Sequence, residues 1–335
     1  MSKIVRQPPG AELVYSGWLP LPERQLIARI RAQALNKSRR FEGIGIGDDC
    51  ALLKILPGHE VLVTTDFSLE GVHFRREWHP PESVGHRCLA RGLSDIAAMG
   101  GKPLAAFLSL AVPQGLPQKW VDDFISGLLK LADRFKTTLA GGDTAQSPGP
   151  ILADIMVLGS VPAGRAVLRS GAGPGDSIYV TGELGGSAAK LDLLFSGRKR
   201  LAPSAHPGHF FPEPRIELGR VLREKGLASA MIDLSDGLSS DLSHICEESG
   251  AGAEIWAETI PRAKIGNSKV DYRFALNGGE DYELLFTASR GKQPPPRIAG
   301  VRITKIGVMT RGRRMFLTQE KRKLVLKPRG WEHLR

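Results

Sequence analysis

Residues 232–242 read IDLSDGLSSDL. An apolar lead-in reaches Asp233 and Asp236, then Gly237, and the segment that follows has the pattern of a helix over 238–248 that stops at Gly250. Charged side chains are rarely buried without a partner, so two carboxylates closing an apolar segment need a reason. Capping is one: Ser235 or Asp236 could cap the helix, since Ser and Asp are favoured N-caps and Gly a favoured stop. A ligand shared by the carboxylates is another.

The pattern recurs along the chain. GIGDD brings Asp48 and Asp49 to a glycine turn, a strand over Val61–Thr65 is expected to end at Asp66, GGDT closes a short strand at Asp143, and the helix in LSDIAAMGG carries Asp95. Each acid alone reads as a turn or cap residue. Grouped carboxylates repel one another unless they take up protons or hold cations. Mg²⁺ takes oxygen ligands and keeps waters or phosphate oxygens beside them. The Thr65 and Ser235 hydroxyls stand next to the acids as further ligands or phosphate donors. Carboxylates and glycine turns together point to phosphoryl transfer, in which a protein mainly positions groups and neutralises charge. The chain has neither GxxxxGK[ST] nor a clean GxGxxG, which excludes a P-loop enzyme and a dinucleotide-binding dehydrogenase.

Strands and helices alternate throughout. ERQLIARIRAQAL places Leu26, Ile27 and Ile30 on one stripe, and PQKWVDDFISGLLKLADRF spaces Trp120, Phe124, Leu128, Leu131 and Phe135 as an amphipathic helix. Residues 161–176, rich in Gly, Pro and Arg, read as a boundary. The expected organisation is an extension over 1–22, an N-terminal domain over 23–161 and a C-terminal domain over 162–335, of α/β (α+β) class. No short-period repeat is present.

With 335 residues, 41% hydrophobic and 24% charged, the composition is that of a globular protein with room for two cores. No run of 18 apolar residues suggests a membrane span, and the first twenty residues lack a signal-peptide core. Cys50, Cys88 and Cys246 are scattered and odd in number, which fits a reducing, cytoplasmic compartment without disulfides. The net charge of +11 reads as a solvated basic face suited to small anions, because no nucleic-acid motif accompanies it.

Eight ordered motifs, GIGDDCALL, TTD…GVHF, LSDIAAMGG, GGDT, LRSGAGPGDSIYVTG, PEPRI, IDLSDGLSSDL and GGEDYELLF, resemble the thiamine-monophosphate kinase family. The resemblance runs from about Glu23 to Trp331. It implies the two-domain fold of aminoimidazole ribonucleotide synthetase, with an N-terminal mixed sheet that dimerises. It implies transfer of the ATP γ-phosphoryl group to thiamine monophosphate with several Mg²⁺ ions. By the same resemblance the metal ligands would be Asp49, Thr65, Asp66, Asp95, Asp143, Asp233 and Asp236, of which the six aspartates are also the catalytic acids, with Asp48 behind them or a further ligand. Gly142, Asp143, Arg169 and Ser235 would bind ATP. Thr64, His73, Glu280 and Trp331 would bind thiamine monophosphate, Trp331 facing the cationic thiazolium. Gly237 would leave room for close backbone approach. In GGEDYE the choice of Glu280 over Asp281 or Glu283 stays open.

The chain departs from the family pattern at Gly92, where an Asn is usual, and at Phe135, where an aromatic, often Tyr, lies near the adenine. Two other readings fit the residues less well. Selenophosphate synthetase needs a reactive residue near the N-terminus and the hydrogenase-maturation enzyme a cysteine-bearing tail, whereas here the first cysteine is Cys50 and the sequence ends WEHLR. A non-catalytic nucleotide-binding protein would have no use for the acidic set.

Overall fold

The computed structural model describes residues 21–37, 43–46, 50–197 and 201–331. Asp48 and Asp49 lie outside the described residues, as does the extension up to residue 20. The first half runs α1 (Glu23–Lys37), β1 (Gly43–Ile44), β2 (Leu52–Leu53), β3 (His59–Leu69), α2 (Pro81–Ala98), β4 (Lys102–Pro113), α3 (Gln118–Arg134), β5 (Thr138–Ser147) and β6 (Leu152–Pro162). The second runs β7 (Ser177–Thr181), α4 (Gly186–Phe195), α5 (Pro207–Phe210), α6 (Ile216–Glu224), β8 (Ala230–Asp233), α7 (Leu238–Ser249), β9 (Gly252–Trp256), β10 (Lys264–Ile265), β11 (Ser268–Lys269), α8 (Tyr272–Asn277), β12 (Leu284–Ala288), β13 (Arg297–Ile298), β14 (Val301–Thr310), β15 (Met315–Gln319) and β16 (Arg322–Val325).

The N-terminal sheet has the order β3-β6-β4-β5. Its β3–β6 and β6–β4 pairs are antiparallel and β4–β5 is parallel, so the sheet is mixed, as expected. The C-terminal sheet has the order β16-β15-β9-β14-β7-β12-β8, with β13 paired to β14. Every residue of β12 is buried. Leu284 and Phe286 face one core and Leu285 the other, the alternation of a strand covered on both sides.

The first core joins the two halves, combining residues of α2, α3 and the N-terminal sheet with Leu218 and Leu222 of α6 and Met231 of β8. At its centre is α2, with fourteen of eighteen residues buried. A helix covered all round must be apolar or carry paired polar groups, and α2 does both. It lies tightly on α3: a Cβ on Gly85 would come within 1.9 Å of the Phe124 carbonyl oxygen, and one on Gly127 within 2.0 Å of the Glu82 carbonyl oxygen.

The helices expected from periodicity are present, with two corrections. On α1 the buried row is Leu26, Ile30 and Ala34, while Ile27 is exposed, because residues four apart make a narrower contact than the expected stripe. On α7 neither Ser235 nor Asp236 is the cap. Gly237 takes that position at φ +114° without a side-chain cap, and Asp241 reaches back to accept from Gly237 N at 3.0 Å and Asp236 N at 3.3 Å.

Candidate active site

β3 continues for three residues beyond Asp66 and β5 for four beyond Asp143, so neither acid ends its strand. Asp233 does end β8. Side chains alternate along β3. Thr64 and Asp66 face α2, where a Cβ on Gly92 would lie 3.5 Å from Thr64 Cγ2, and the Thr64 hydroxyl donates to Asp95 Oδ2. Thr65 is exposed on the opposite face and does not join the group.

The tie to the second half is Ser94, whose Oγ donates to Asp233 Oδ2 at 2.7 Å. Asp66, Asp95 and Asp233, contributed by β3, α2 and β8, are thereby drawn together. Burial, and then the Asp95 charge, push the Asp66 carboxyl up to about 7 against the opposing pull of Arg91, and Asp66 hydrogen-bonds Asp95. Burial also raises Asp95. Asp233 is raised well above the usual carboxylate range, by burial first and then by Asp95. Without a cation the three cannot all stay ionised.

These acids line a cavity of about 360 Å³ together with Ser235, Asp236, His73, Arg91, Glu280 and Trp331, and with aromatic walls from Phe74, Trp78 and Phe195. Trp331 is held by its main chain: Trp331 N donates to the Asp236 carbonyl at 3.1 Å. Arg329 N and Gly330 N donate to Ser239 Oγ and Ser240 Oγ on the first turn of α7. The residue is 54% exposed. His73 Nδ1 accepts from Leu69 N at 2.9 Å.

The GGEDYE loop sorts its acids by partner. Asp281 accepts from Gly185 N at 2.6 Å and Ser187 N at 3.4 Å, at the start of α4. Glu283 pairs with Arg215 and accepts from Thr181 Oγ1. Glu280 alone of the three lines the cavity. Burial would raise its pKa, but the Arg87 and Arg91 guanidiniums outweigh burial and hold it down at about 2. Its backbone sits at φ +66°, and Glu280 N donates to the Ser235 carbonyl at 2.8 Å, locking this loop to the IDLSD segment.

The remaining expected residues among those described lie outside the cavity lining. Gly142 pairs with Leu108, and Asp143 with Ser109, on the sheet edge opposite β3. A Cβ on Gly142 would meet the Leu108 carbonyl oxygen at 1.9 Å, so glycine is required by the close approach of β4. Arg169 is exposed, with its charge close enough to oppose the rise of the Asp95 and Asp241 pKa values. Phe135 caps the end of α3 and packs on the first core. The room left by Gly237 is taken by the chain's own backbone: a Cβ there would lie 2.8 Å from the Asn277 carbonyl carbon. The reading from sequence missed Arg87 and Arg91, although two arginines four apart in the otherwise apolar HRCLARGL were a usable signal.

Residues 47–161 match the family model of the AIR synthase related protein, N-terminal domain, and residues 173–319 that of the C-terminal domain. The thiamine-monophosphate kinase of Salmonella typhimurium is 41% identical over 303 residues, covering 86% of this chain and 90% of that protein. The chain belongs to the thiamine-monophosphate kinase family. Among solved structures, the thiamine-monophosphate kinase from Stenotrophomonas maltophilia superposes with a TM-score of 0.76 at 35% identity, covering 87% of this chain and 95% of that one. AaThiL complexed with AMPPCP and TMP does so with a TM-score of 0.74 at 30% identity, covering 93% and 97%.

Proposed function

We propose that this protein transfers the γ-phosphoryl group of ATP to thiamine monophosphate, giving ADP and thiamine diphosphate. The observation that carries the reading is one cavity in which Asp66, Asp95 and Asp233 stand beside His73, Glu280 and Trp331, in a chain that covers 90% of a relative with that name. The carboxylates suit the ATP side of the reaction, and the aromatic and acidic walls suit a cationic heterocycle.

The donor set fits magnesium. Asp66, Asp95 and Asp233 offer hard oxygen donors whose repulsion a cation would relieve. Among the described residues no group of three or more His, Cys, Asp or Glu side chains is arranged to hold a metal ion by itself, so in this reading water and phosphate oxygens would have to complete the coordination of an ion held by one or two of these carboxylates. Asp236 lines the same cavity and is a further ligand in this reading, whereas Thr65 and Asp143, also expected from the sequence, lie outside the lining. Bound magnesium would supply charge neutralisation between the two phosphates.

The chain's own residues do the positioning. Arg169 and Ser235 orient ATP, while Glu280 and Trp331 hold the thiazolium. The acceptor oxygen is ionised at neutral pH, so no general base is required. Cys88 and Cys246 are buried, and burial pushes both thiols up to about 12, so neither offers a thiolate to form a phosphoenzyme. Cys50 is exposed and is absent from the cavity lining. Transfer is direct and in line in this reading.

A second copy belongs to the working protein in this reading. Val61, Val63 and Phe67 lie exposed along the face of β3 turned away from α2, and an apolar row of this kind suits pairing of two N-terminal sheets. Among the described residues no helix is long and apolar enough to cross a membrane, and the cytoplasm is the expected compartment. Incubating the protein with Mg-ATP and thiamine monophosphate and separating the products by chromatography tests the function. Thiamine diphosphate is expected, and its absence under conditions where a known kinase of the family produces it would end the reading.

A further inference from the structure

Two arginines one turn apart on α2 share one carboxylate oxygen. Arg87 Nη2 donates to Glu280 Oε1 at 2.6 Å and Arg91 Nη2 to the same atom at 2.8 Å. Their side chains are only 3% and 10% exposed. One carboxylate neutralises one guanidinium, so Glu280 alone does not balance the pair. The other carboxylate that acts on Arg91 is Asp66, which faces Asp95 as well and is held by no hydrogen bond to the guanidinium, so the pair has capacity for a further anion.

The two arginines are not equivalent. Arg87 also donates to the His209 carbonyl at 2.5 Å and is absent from the cavity lining, whereas Arg91 lines the cavity. The second bond of Arg91, to the Phe67 carbonyl, is long at 3.3 Å, and its Nε–H is buried with no hydrogen-bond partner among the described residues. Asp66, next to Phe67, feels the Arg91 charge without being hydrogen-bonded to it. Buried donors are nearly always satisfied, and a guanidinium with spare donors matches a phosphomonoester, which accepts parallel bonds from its fork.

We propose that Arg91 is a further substrate-binding residue, which receives the phosphate of the acceptor beside Asp66. The proposal rests on the reading that the acceptor is thiamine monophosphate. That phosphate must meet the ATP γ-phosphate near the carboxylates, and Arg91 spans from Phe67, beside them, to Glu280. A permanent cation there holds the acceptor's phosphate against the negative field of the acids. It also selects among acceptors, because unphosphorylated thiamine is a cation and gains nothing from a guanidinium.

Calorimetric titration of thiamine monophosphate and of thiamine, each with Mg²⁺ and AMPPCP present, tests this. Arg91→Met is expected to weaken thiamine monophosphate by about 30-fold, the worth of one charge-assisted hydrogen-bonded contact, while changing thiamine by less than about threefold. Arg91→Gln, which can still bond Glu280, carries the same comparison if Arg91→Met does not fold. Parallel losses for both ligands would make Arg91 a prop for the Glu280 loop and overturn the proposal, as would unchanged affinity for thiamine monophosphate. Failure of the wild-type protein to make thiamine diphosphate is a separate result, and would overturn the function instead.

Discussion

At Asp66 two demands meet in one side chain. Burial beside Asp95 favours its protonated form up to about pH 7, while a role toward phosphate requires the anion. Asp233, 4% exposed and bonded to Ser94, is under the same tension. Neutral isosteres separate the two demands. Asp66→Asn should lower turnover by roughly a hundredfold or more, about 2.7 kcal/mol of barrier, with an unchanged circular dichroism spectrum. Asp233→Asn should also be inactive, yet raise the thermal midpoint of metal-free protein at pH 7 by a few degrees, roughly. The sign follows from the raised pKa: the carboxyl costs stability where the unfolded chain is ionised, so the gain vanishes below about pH 4 and grows as pH rises. A lowered midpoint at pH 7 would contradict it. His209 shows the opposite sign. Burial, then the Arg87 charge, push its pKa down to about 2. It contributes nothing above about pH 6.5, where folded and unfolded forms are both neutral, and costs stability as pH falls below that value and only the unfolded state takes up a proton. The loss of unfolding free energy between pH 7 and pH 5 should therefore shrink by about 2 kcal/mol in His209→Gln relative to wild type. Denaturant melts at the two pH values measure the difference, which removes the opposing contribution of the raised carboxyls common to both proteins.

Helix α2 explains the departure at Gly92. A Cβ there would lie 2.6 Å from Val157 Cγ2 and 3.2 Å from Val157 Cβ, and Val157 is fully buried on β6. This chain fills with a valine methyl the space that a larger residue on the helix would need. Gly92→Asn should therefore destabilise by about 1–3 kcal/mol through overpacking. Adding Val157→Ala should recover part of the loss, although Val157→Ala alone leaves a cavity and destabilises. Additive losses in the double variant, measured by urea unfolding, would refute this account. The same helix shows what was legible at this scale. The helix in LSDIAAMGG was legible, with its closing glycines as a stop, since short-range chemistry sets helix ends. Its burial on all sides, and hence the pairing of Arg87 and Arg91, did not, because a helix covered on every face has no single apolar stripe to read.

For the whole molecule, the row Val61, Val63 and Phe67, with Val63 62% and Phe67 56% exposed, should be covered by a second copy. Light scattering at micromolar concentration should give a dimer, and Val63→Glu a monomer, since an unpaired charge at such a contact is costly. A monomeric wild type would count against it. What the sequence determined by itself was the kind and order of elements and the mixed α/β class, because hydrophobic period and turn residues act over a few positions. The resemblance carried by ordered motifs added the two-domain family fold. Tertiary structure decided the rest. It put Glu280 in the cavity lining and gave Asp281 and Glu283 partners elsewhere, and turned Thr65 away from Asp66 through strand alternation. Left to it also was the bond between Ser94 and Asp233, and the sharing of Glu280 by two arginines 193 and 189 positions distant. At such separations no local pattern records which side chains meet. Packing α2 between the two sheets brings them together, and burial then makes each charge consequential.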